Sequence, residues 1–122
     1  MVNVVVDTTL LIDYLNQISA AADELDRYDQ VTISIISWIE VMAGVKTPAE
    51  EVIARDFLST FTIANVEPRI ATRAAMLRRS SRLRVPDAII QATAQELGQL
   101  LVTRNSKDFP PDDPGVRIPY QV

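Results

Sequence analysis

Short runs of β-branched apolar residues alternate along the chain with segments whose apolar residues recur every three or four positions. The runs predict buried strands, and the longer segments predict amphipathic helices. The expected strands are residues 4–6, 31–36, 61–66 and 100–103, with a short edge strand at 116–118 in the proline-rich tail. Strands that alternate with helices indicate an α/β fold with a mostly parallel sheet and right-handed crossovers.

Helix-capping residues predict where the helices begin and end. Ser19 is expected to cap a polar helix, and Ser37 and Glu40 have the spacing of a capping box. Thr47 opens a second box with proline after it, and Gly98 is expected to end the last helix. The expected helices are residues 10–15, 20–29, 38–44, 49–61, 68–83 and 86–97.

Length and composition limit the possible classes of protein. With 122 residues, 48% of them hydrophobic and 23% charged, the chain is expected to form a single globular domain over residues 1–122. The absence of cysteine and histidine excludes disulfides, thiolate metal sites and imidazole catalysts. No apolar run approaches the ~18 residues of a membrane span, and no basic signal segment opens the chain. A cytoplasmic protein with no membrane partner is therefore expected.

Three carboxylates share an unusual context. Asp7, Glu40 and Asp87 each lie alone among apolar residues, at or near the start of a predicted helix. Helix capping explains any one of them, but a capping acid does not need apolar neighbours. Asp13 differs, because it lies about 240° round the helix from Asp7, and it is expected to be solvated or structural. The more specific interpretation is that Asp7, Glu40 and Asp87 converge on one site. The alternative is that each acid caps its own helix.

Carboxylates that converge cannot all stay ionised unless another charge compensates theirs. Two unit charges 4 Å apart repel by about 4 kcal/mol at an effective dielectric constant of 20. Either some carboxyl groups are protonated or a cation lies among them. Ligation by oxygen alone favours Mg²⁺ or Mn²⁺, and without histidine a metal-activated water is the expected nucleophile. Such a site beside basic residues suggests phosphodiester hydrolysis.

The loop RNSKDF adds two candidate site residues. Asn105 and Asp108 follow the fourth expected strand, so they would lie at the same carboxyl edge of the sheet as Asp7. Asn105 offers a carbonyl oxygen as a ligand, and Asp108 offers a carboxylate. The alternative is an ordinary β-turn.

Arginines are concentrated just before Asp87. Half of the twelve Lys and Arg residues lie within residues 69–84, although the chain has a formal charge of −4. They would place positive charge beside the acidic site, where phosphates can be held. The alternative is a solvated helix face.

Four segments together resemble a known family. VVVDTTLLIDYL, Glu40 in WIEVMAG, RVPDAIIQATA and LLVTRNSKDF, in this order, resemble the PIN-domain ribonucleases. More specifically, they resemble the VapC-type toxins of type II toxin–antitoxin pairs, over nearly the whole chain. The resemblance implies a PIN-like α/β fold with a central parallel sheet in the strand order 3-2-1-4-5, flanked by helices.

The same resemblance implies an activity and its residues. It implies a Mg²⁺- or Mn²⁺-dependent endoribonuclease toxin that cuts structured RNA such as tRNA or ribosomal RNA, forms homodimers and is blocked by a cognate antitoxin. The family's acidic positions fall on Asp7, Glu40 and Asp87, as metal ligands and catalytic residues. The last acidic position falls on Asn105 or Asp108, since many members have aspartate where this chain has Asn105. The expected RNA contacts are Arg78, Arg79, Arg82, Arg84 and Arg104.

Two other functions remain open. A catalytically degenerate PIN domain that acts as a protein-binding scaffold is kept open by Asn105. A receiver-like phosphoacceptor domain is a weaker alternative, because it needs an aspartate straight after the third strand, where this chain has Glu67 and Pro68.

An inhibitory partner is expected to insert an Arg or Lys among the three acids, since a carboxylate pocket that binds a cation also accepts a guanidinium. Its other contacts should be apolar. The candidates for an apolar groove that would receive this partner are Leu11, Leu15, Trp38 and Met42. The favoured interpretation is that these four residues simply belong to the core.

Overall fold

Three consecutive valines near the start of the chain form the central strand of the sheet, where all three side chains are fully buried. The computed structural model describes residues 2–121. The strands are β1 (Asn3–Val6), β2 (Gln30–Ser34), β3 (Thr62–Ala64), β4 (Leu100–Val102) and β5 (Val116–Arg117). The helices are α1 (Thr8–Leu15), α2 (Ser19–Leu25), α3 (Ile35–Ala43), α4 (Pro48–Leu58), α5 (Pro68–Ser80) and α6 (Val85–Leu97).

The sheet has the order β3–β2–β1–β4–β5, and every neighbouring pair of strands is parallel. This confirms the α/β fold class and the strand order that the family resemblance implied. A receiver-like domain has the order 2-1-3-4-5, so that alternative is wrong. Because β1 lies between β2 and β4, the carboxyl ends of these three strands meet at one edge of the sheet.

Each face of the sheet is covered by its own hydrophobic core. Val4 and Val6 pack in the core formed with α1, α3 and α4, and Val5 packs in the core formed with α5 and α6. This division follows from the pleat, because successive side chains of a strand point to opposite faces. Asp7 follows Val6 directly, so the rigid central strand fixes its backbone.

Two serines do not have the capping roles that the sequence predicted. Ser34, the last residue of β2, is the N-cap of α3 and accepts a hydrogen bond from the Ile36 N–H at 3.1 Å. The prediction for Ser37 is wrong because the chain turns from strand to helix without a loop, which places Ser37 inside the first turn. Ser19 is also not a cap, since Ile18 occupies that position.

Other predicted helix boundaries are confirmed. Thr47 caps α4 by accepting a hydrogen bond from the Glu50 N–H at 3.1 Å. Gly98 ends α6 in the left-handed conformation, with φ of 64°, which a residue without a Cβ adopts at little cost. Within residues 2–121, no helix combines the length and the apolar character that crossing a bilayer requires.

Candidate active site

Asp7 lies at the carboxyl end of β1, and only 3% of its surface is exposed. It occupies the N-cap position of α1, but its side chain makes no capping hydrogen bond. Its Oδ2 instead accepts hydrogen bonds from the hydroxyls of Thr9, at 2.9 Å, and Thr103, at 2.8 Å. The side chain is therefore held in place by two neutral donors, and the capping interpretation does not describe it.

Glu40 projects from α3 and is joined to α1 through a hydroxyl. Thr8 Oγ1 donates to Glu40 Oε1 at 2.7 Å and lies 2.9 Å from Ser37 Oγ. Ser37 and Thr8 are buried, whereas Glu40 is exposed. The threonines that follow Asp7 therefore serve two different acids: Thr9 orients Asp7 and Thr8 orients Glu40.

Asp87 lies in the first turn of α6 and is buried, with 9% of its surface exposed. Its buried Oδ2 makes no hydrogen bond to any described residue, and the Arg84 Nε, 3.6 Å away, makes only a loose ion pair with it. Burial raises the pKa of Asp87, as does the charge of Asp7, and Arg84 offsets part of this rise. The charges of Asp108 and Glu40 raise the same pKa further, so the four acids share one electrostatic environment.

The segment Asn105–Asp108 forms a turn, as the local alternative predicted. The Asn105 Nδ2 donates to Asp108 Oδ2 at 2.9 Å, and the Asp108 N–H donates to Asn105 Oδ1 at 3.2 Å. A turn does not exclude a role in the site, because the charge of Asp108 acts on Asp87. The two candidates for the fourth position are thus bonded to each other.

Four of the five predicted RNA-binding arginines are exposed. Arg84 precedes α6, and Arg82 lines a cleft of about 410 Å³ together with Lys107 and Asp108. Arg73 differs, since its guanidinium is bound to Glu96 and Gln95 of α6. Arg78 and Arg79, in the last turn of α5, are also exposed.

Arg104 is engaged inside the protein. Its guanidinium donates two hydrogen bonds to the carboxylate of Asp13, and its own surface is one-third exposed. Asp13 is 3% exposed, so its structural interpretation is confirmed and its solvated interpretation is wrong. Tyr120 donates a third hydrogen bond to Asp13, and its pKa is raised by burial and by that carboxylate, so its proton stays in place.

An apolar cleft of about 400 Å³ opens next to Glu40, between α1, α3 and α4. Of the groove residues predicted from sequence, Leu11 is fully buried, and Leu15, Trp38 and Met42 are partly buried against the same core. The core interpretation is therefore right for most of them. Exposed apolar side chains that line this cleft are Ile12 and Ile53.

The donor set matches a hard divalent cation in chemistry, because it consists of oxygen atoms and includes one buried carboxylate oxygen that accepts no hydrogen bond from the described residues. Within residues 2–121, however, no three acidic side chains approach closely enough to surround one ion as they stand. The hydroxyls of Thr8, Thr9 and Thr103 were missed by sequence reasoning, although each lies next to an acid or at a strand end.

Comparison with known proteins agrees with the architecture. The PIN domain family matches residues 4–110. A chain of a toxin–antitoxin complex from Klebsiella pneumoniae is 43% identical, with a TM-score of 0.91 over 98% of this chain and 99% of that one. No curated protein sequence matches this chain closely enough to add to these comparisons.

Two more distant structures support the fold alone. A chain of the DNA-bound VapBC complex from Salmonella typhimurium is 22% identical, with a TM-score of 0.79 over 96% of both chains. A chain of the FitAcB structure from Neisseria gonorrhoeae is 20% identical, with a TM-score of 0.79 over 98% of this chain and 99% of that one.

Proposed function

Because the chain belongs to the PIN-domain family, we propose that it is a Mg²⁺- or Mn²⁺-dependent endoribonuclease that acts as the toxin of a toxin–antitoxin pair. The observation that carries this proposal is the buried carboxylate of Asp87. Its Oδ2 accepts no hydrogen bond from the described residues and has only the loose ion pair with Arg84 against the charges of Asp7, Glu40 and Asp108. A buried charge in that position costs free energy unless a cation accompanies it. The 43% identity to a chain of a toxin–antitoxin complex supports the toxin assignment.

The proposed roles of the acids in binding the metal follow from their surroundings. Asp7 and Asp87 are the buried ligands, and the more exposed Glu40 completes the set from α3. A divalent ion bound there would lower the pKa of a coordinated water and would offset the negative charge of the phosphoryl transition state. The protein's own contribution is orientation: Thr9 and Thr103 hold one oxygen of Asp7, and Thr8 holds one oxygen of Glu40.

The experiment that tests this function uses the purified protein and a panel of structured RNAs that includes tRNA and ribosomal RNA. Cleavage should require Mg²⁺ or Mn²⁺ and stop when EDTA is added. A catalytically degenerate scaffold would leave every RNA intact while still binding its protein partner. DNA oligonucleotides of matched sequence are the control for the substrate class.

The exposed arginines are expected to bind the RNA backbone. Replacing Arg82 or Arg84 with alanine should raise KM about 3- to 10-fold, because each variant loses a phosphate contact, and Arg82→Ala should leave kcat nearly unchanged. Arg84→Ala also removes the ion pair with Asp87, so its kcat is expected to change as well. The slope of log KM against log salt concentration should fall by about one for each residue. Arg73→Ala, on the preceding helix α5, is the control, since Glu96 and Gln95 already bind that guanidinium. Equal effects from all three variants would contradict a local RNA site.

An antitoxin is expected to cover the apolar cleft beside Glu40 and to place an Arg or Lys among the carboxylates. The cleft supports this proposal because Ile12, Leu15 and Ile53 give it apolar walls and two acids, Glu40 and Glu50, lie in its lining. Antitoxin binding should then weaken as Mg²⁺ rises, since the ion and the guanidinium compete for the same oxygens. Removing the inserted basic residue should restore RNA cleavage.

Two neighbouring residues provide a control for the antitoxin site. Val52 and Ile53 are both 60% exposed, but only Ile53 lines the cleft. Ile53→Asp should weaken antitoxin binding at least about 10-fold, whereas Val52→Asp should change it little. Affinities measured by calorimetry that fall equally for both variants would place the antitoxin elsewhere.

The proposal includes a homodimer, which the family resemblance implies. Val66 and Val85 are 37% and 59% exposed and line one apolar cleft between α5 and α6. An exposed apolar patch of this kind supports association with a second copy. Light scattering measures the mass in solution.

The proposed place of action is the cytoplasm, where the RNA substrates are found.

A further inference from the structure

A buried ion pair joins α1 to the loop that follows β4. The two hydrogen bonds from Arg104 to Asp13 form a fork, in which Nη2 lies 3.0 Å from Oδ1 and Nε donates to Oδ2. Tyr120 donates to the same Oδ2 at 2.8 Å. We call Asp13 and Arg104 the clamp. Neither side chain takes part in the acidic site or the RNA surface described above.

Stability alone is a weak reason for this arrangement. Taking a carboxylate and a guanidinium out of water costs about as much as their attraction returns, so well-packed apolar residues often serve equally well. What the ion pair adds is geometry, because a forked guanidinium fixes both distance and orientation. The relevant question is therefore which part of the molecule the clamp orients.

The backbone around Arg104 answers that question. The Arg104 N–H donates to Thr9 Oγ1 at 3.2 Å, so both its main chain and its side chain are bound to α1. The residue before it, Thr103, donates its hydroxyl to Asp7 Oδ2 at 2.8 Å. The residue after it, Asn105, donates its N–H to Thr103 Oγ1 at 3.0 Å. The clamp thus lies between two residues that are part of the hydrogen-bond network of Asp7.

The far end of the loop is held as well. The Phe109 N–H donates to the Asn105 carbonyl at 3.1 Å, and the Phe109 side chain is fully buried. Asp108 lies between these two fixed points, and its charge acts on Asp87. A shift of Arg104 along α1 would therefore move both the Thr103 hydroxyl and the Asp108 carboxylate.

We propose that Asp13 and Arg104 are positioning residues, and that their clamp sets loop 103–109 against α1 so that Thr103 orients Asp7. The expected effect of the clamp on catalysis rests on the proposed function. Its expected effect on the position of the loop does not, since that effect can be measured without any activity.

The chain offers a closely matched control. Arg117 donates two hydrogen bonds to Glu24, at 2.7 and 3.0 Å, and Tyr28 donates to the same carboxylate. Glu24 is 5% exposed, so this second ion pair has the same chemistry and similar burial. It joins α2 to β5, and its charged side chains bind each other and no acid of the site. The Arg117 carbonyl accepts a hydrogen bond from the Thr103 N–H at 3.0 Å, but this is a backbone contact that the control variant keeps.

The test compares the double variants Asp13→Leu/Arg104→Met and Glu24→Leu/Arg117→Met. Both remove a buried ion pair as a unit, so neither leaves an uncompensated charge, and both should melt near the wild-type temperature. The clamp variant should lose about 10-fold or more in kcat and in Mn²⁺ affinity measured by paramagnetic resonance, with KM changed less than about 2-fold. Amide hydrogen exchange at residues 105–109 should accelerate. The control variant should match wild type in all four measurements.

The proposal is overturned if the clamp variant keeps wild-type kcat, Mn²⁺ affinity and exchange rates, or if the control variant loses as much as the clamp variant. If the double variant does not fold, Arg104→Lys keeps the charge and removes the fork, and it should show the same losses to a smaller degree. Unchanged Mn²⁺ affinity and exchange in Arg104→Lys would also overturn the proposal. Failure of the proposed function is recognised separately, as wild-type protein that cleaves no RNA with any metal, and hydrogen exchange then decides the role of the clamp.

Discussion

Replacing Asp87 with asparagine is expected to reduce RNA cleavage by on the order of 10²–10³-fold or more, while the fold is retained. The substitution keeps the shape of the side chain and removes the charge that would hold the divalent ion. The main loss should appear in kcat, because the arginines that bind RNA are unchanged. Single-turnover cleavage of a preferred RNA at saturating Mg²⁺ measures it.

The control for this variant must lie outside every interaction network of the site. Asp13→Asn has the same chemistry, and its position on the far side of α1 suggests a neutral control, but Asp13 belongs to the buried clamp. Asp26 is exposed at the end of α2, so Asp26→Asn is the better choice and should keep wild-type activity. Wild-type cleavage by Asp87→Asn would remove Asp87 from the catalytic centre.

The fold was predictable because its signals are local and strong. Three buried valines followed by an acid define β1 and its functional end without any tertiary information. Gly98 and Thr47 mark helix boundaries by backbone chemistry that operates within a few residues. The strand order is a different matter. Alternating strands and helices fit several doubly wound sheets, and only the family resemblance supplied the order that the structure has.

At the proposed site, the sequence predicted the apolar surroundings of Asp7 and Asp87, both of which are buried, but not the hydrogen-bond partners of the acids. The two acids were proposed as site residues because isolated acids in apolar surroundings are unusual. The three hydroxyls that orient Asp7 and Glu40 were missed, since threonine after a strand also fits a cap or a strand end. Arg104 was expected to contact RNA, and the sequence did not indicate that its guanidinium binds Asp13, which is 91 positions away. Only the folded chain shows that these two side chains meet.

Stability should depend on pH through two acids with opposite behaviour. Burial raises the pKa of Glu24, but hydrogen bonds from Arg117 and Tyr28 outweigh it, so the net pKa is lowered. Glu24 therefore stabilises the fold above its unfolded-state pKa, and that contribution is lost as pH falls. Asp87 has a raised pKa, so its folded form binds a proton more tightly than its unfolded form, and stability falls as pH rises through both values. A melting curve of wild type alone mixes these two trends.

The difference between wild type and Asp87→Asn isolates the acidic site. Without metal, the variant should melt at about the wild-type temperature near pH 3, where Asp87 is protonated in both states. At pH 7 the variant should be more stable by about 0.5–2 kcal/mol, roughly 2–6 °C in melting temperature, because the neutral amide is not repelled by Asp7.

With Mg²⁺ present, wild type should become more stable than Asp87→Asn as pH rises. An ion that binds only the native state at 100 times its Kd stabilises it by about 2.7 kcal/mol. Protons compete with Mg²⁺ for the same oxygens, so this stabilisation of wild type should grow from about pH 4 to pH 7. Asp87→Asn should lose most of it, and differential scanning calorimetry at several pH values with and without Mg²⁺ measures both effects. A Mg²⁺ shift that is the same at pH 4 and pH 7, or the same in both proteins, would mean that the ion binds somewhere other than among Asp7, Glu40 and Asp87.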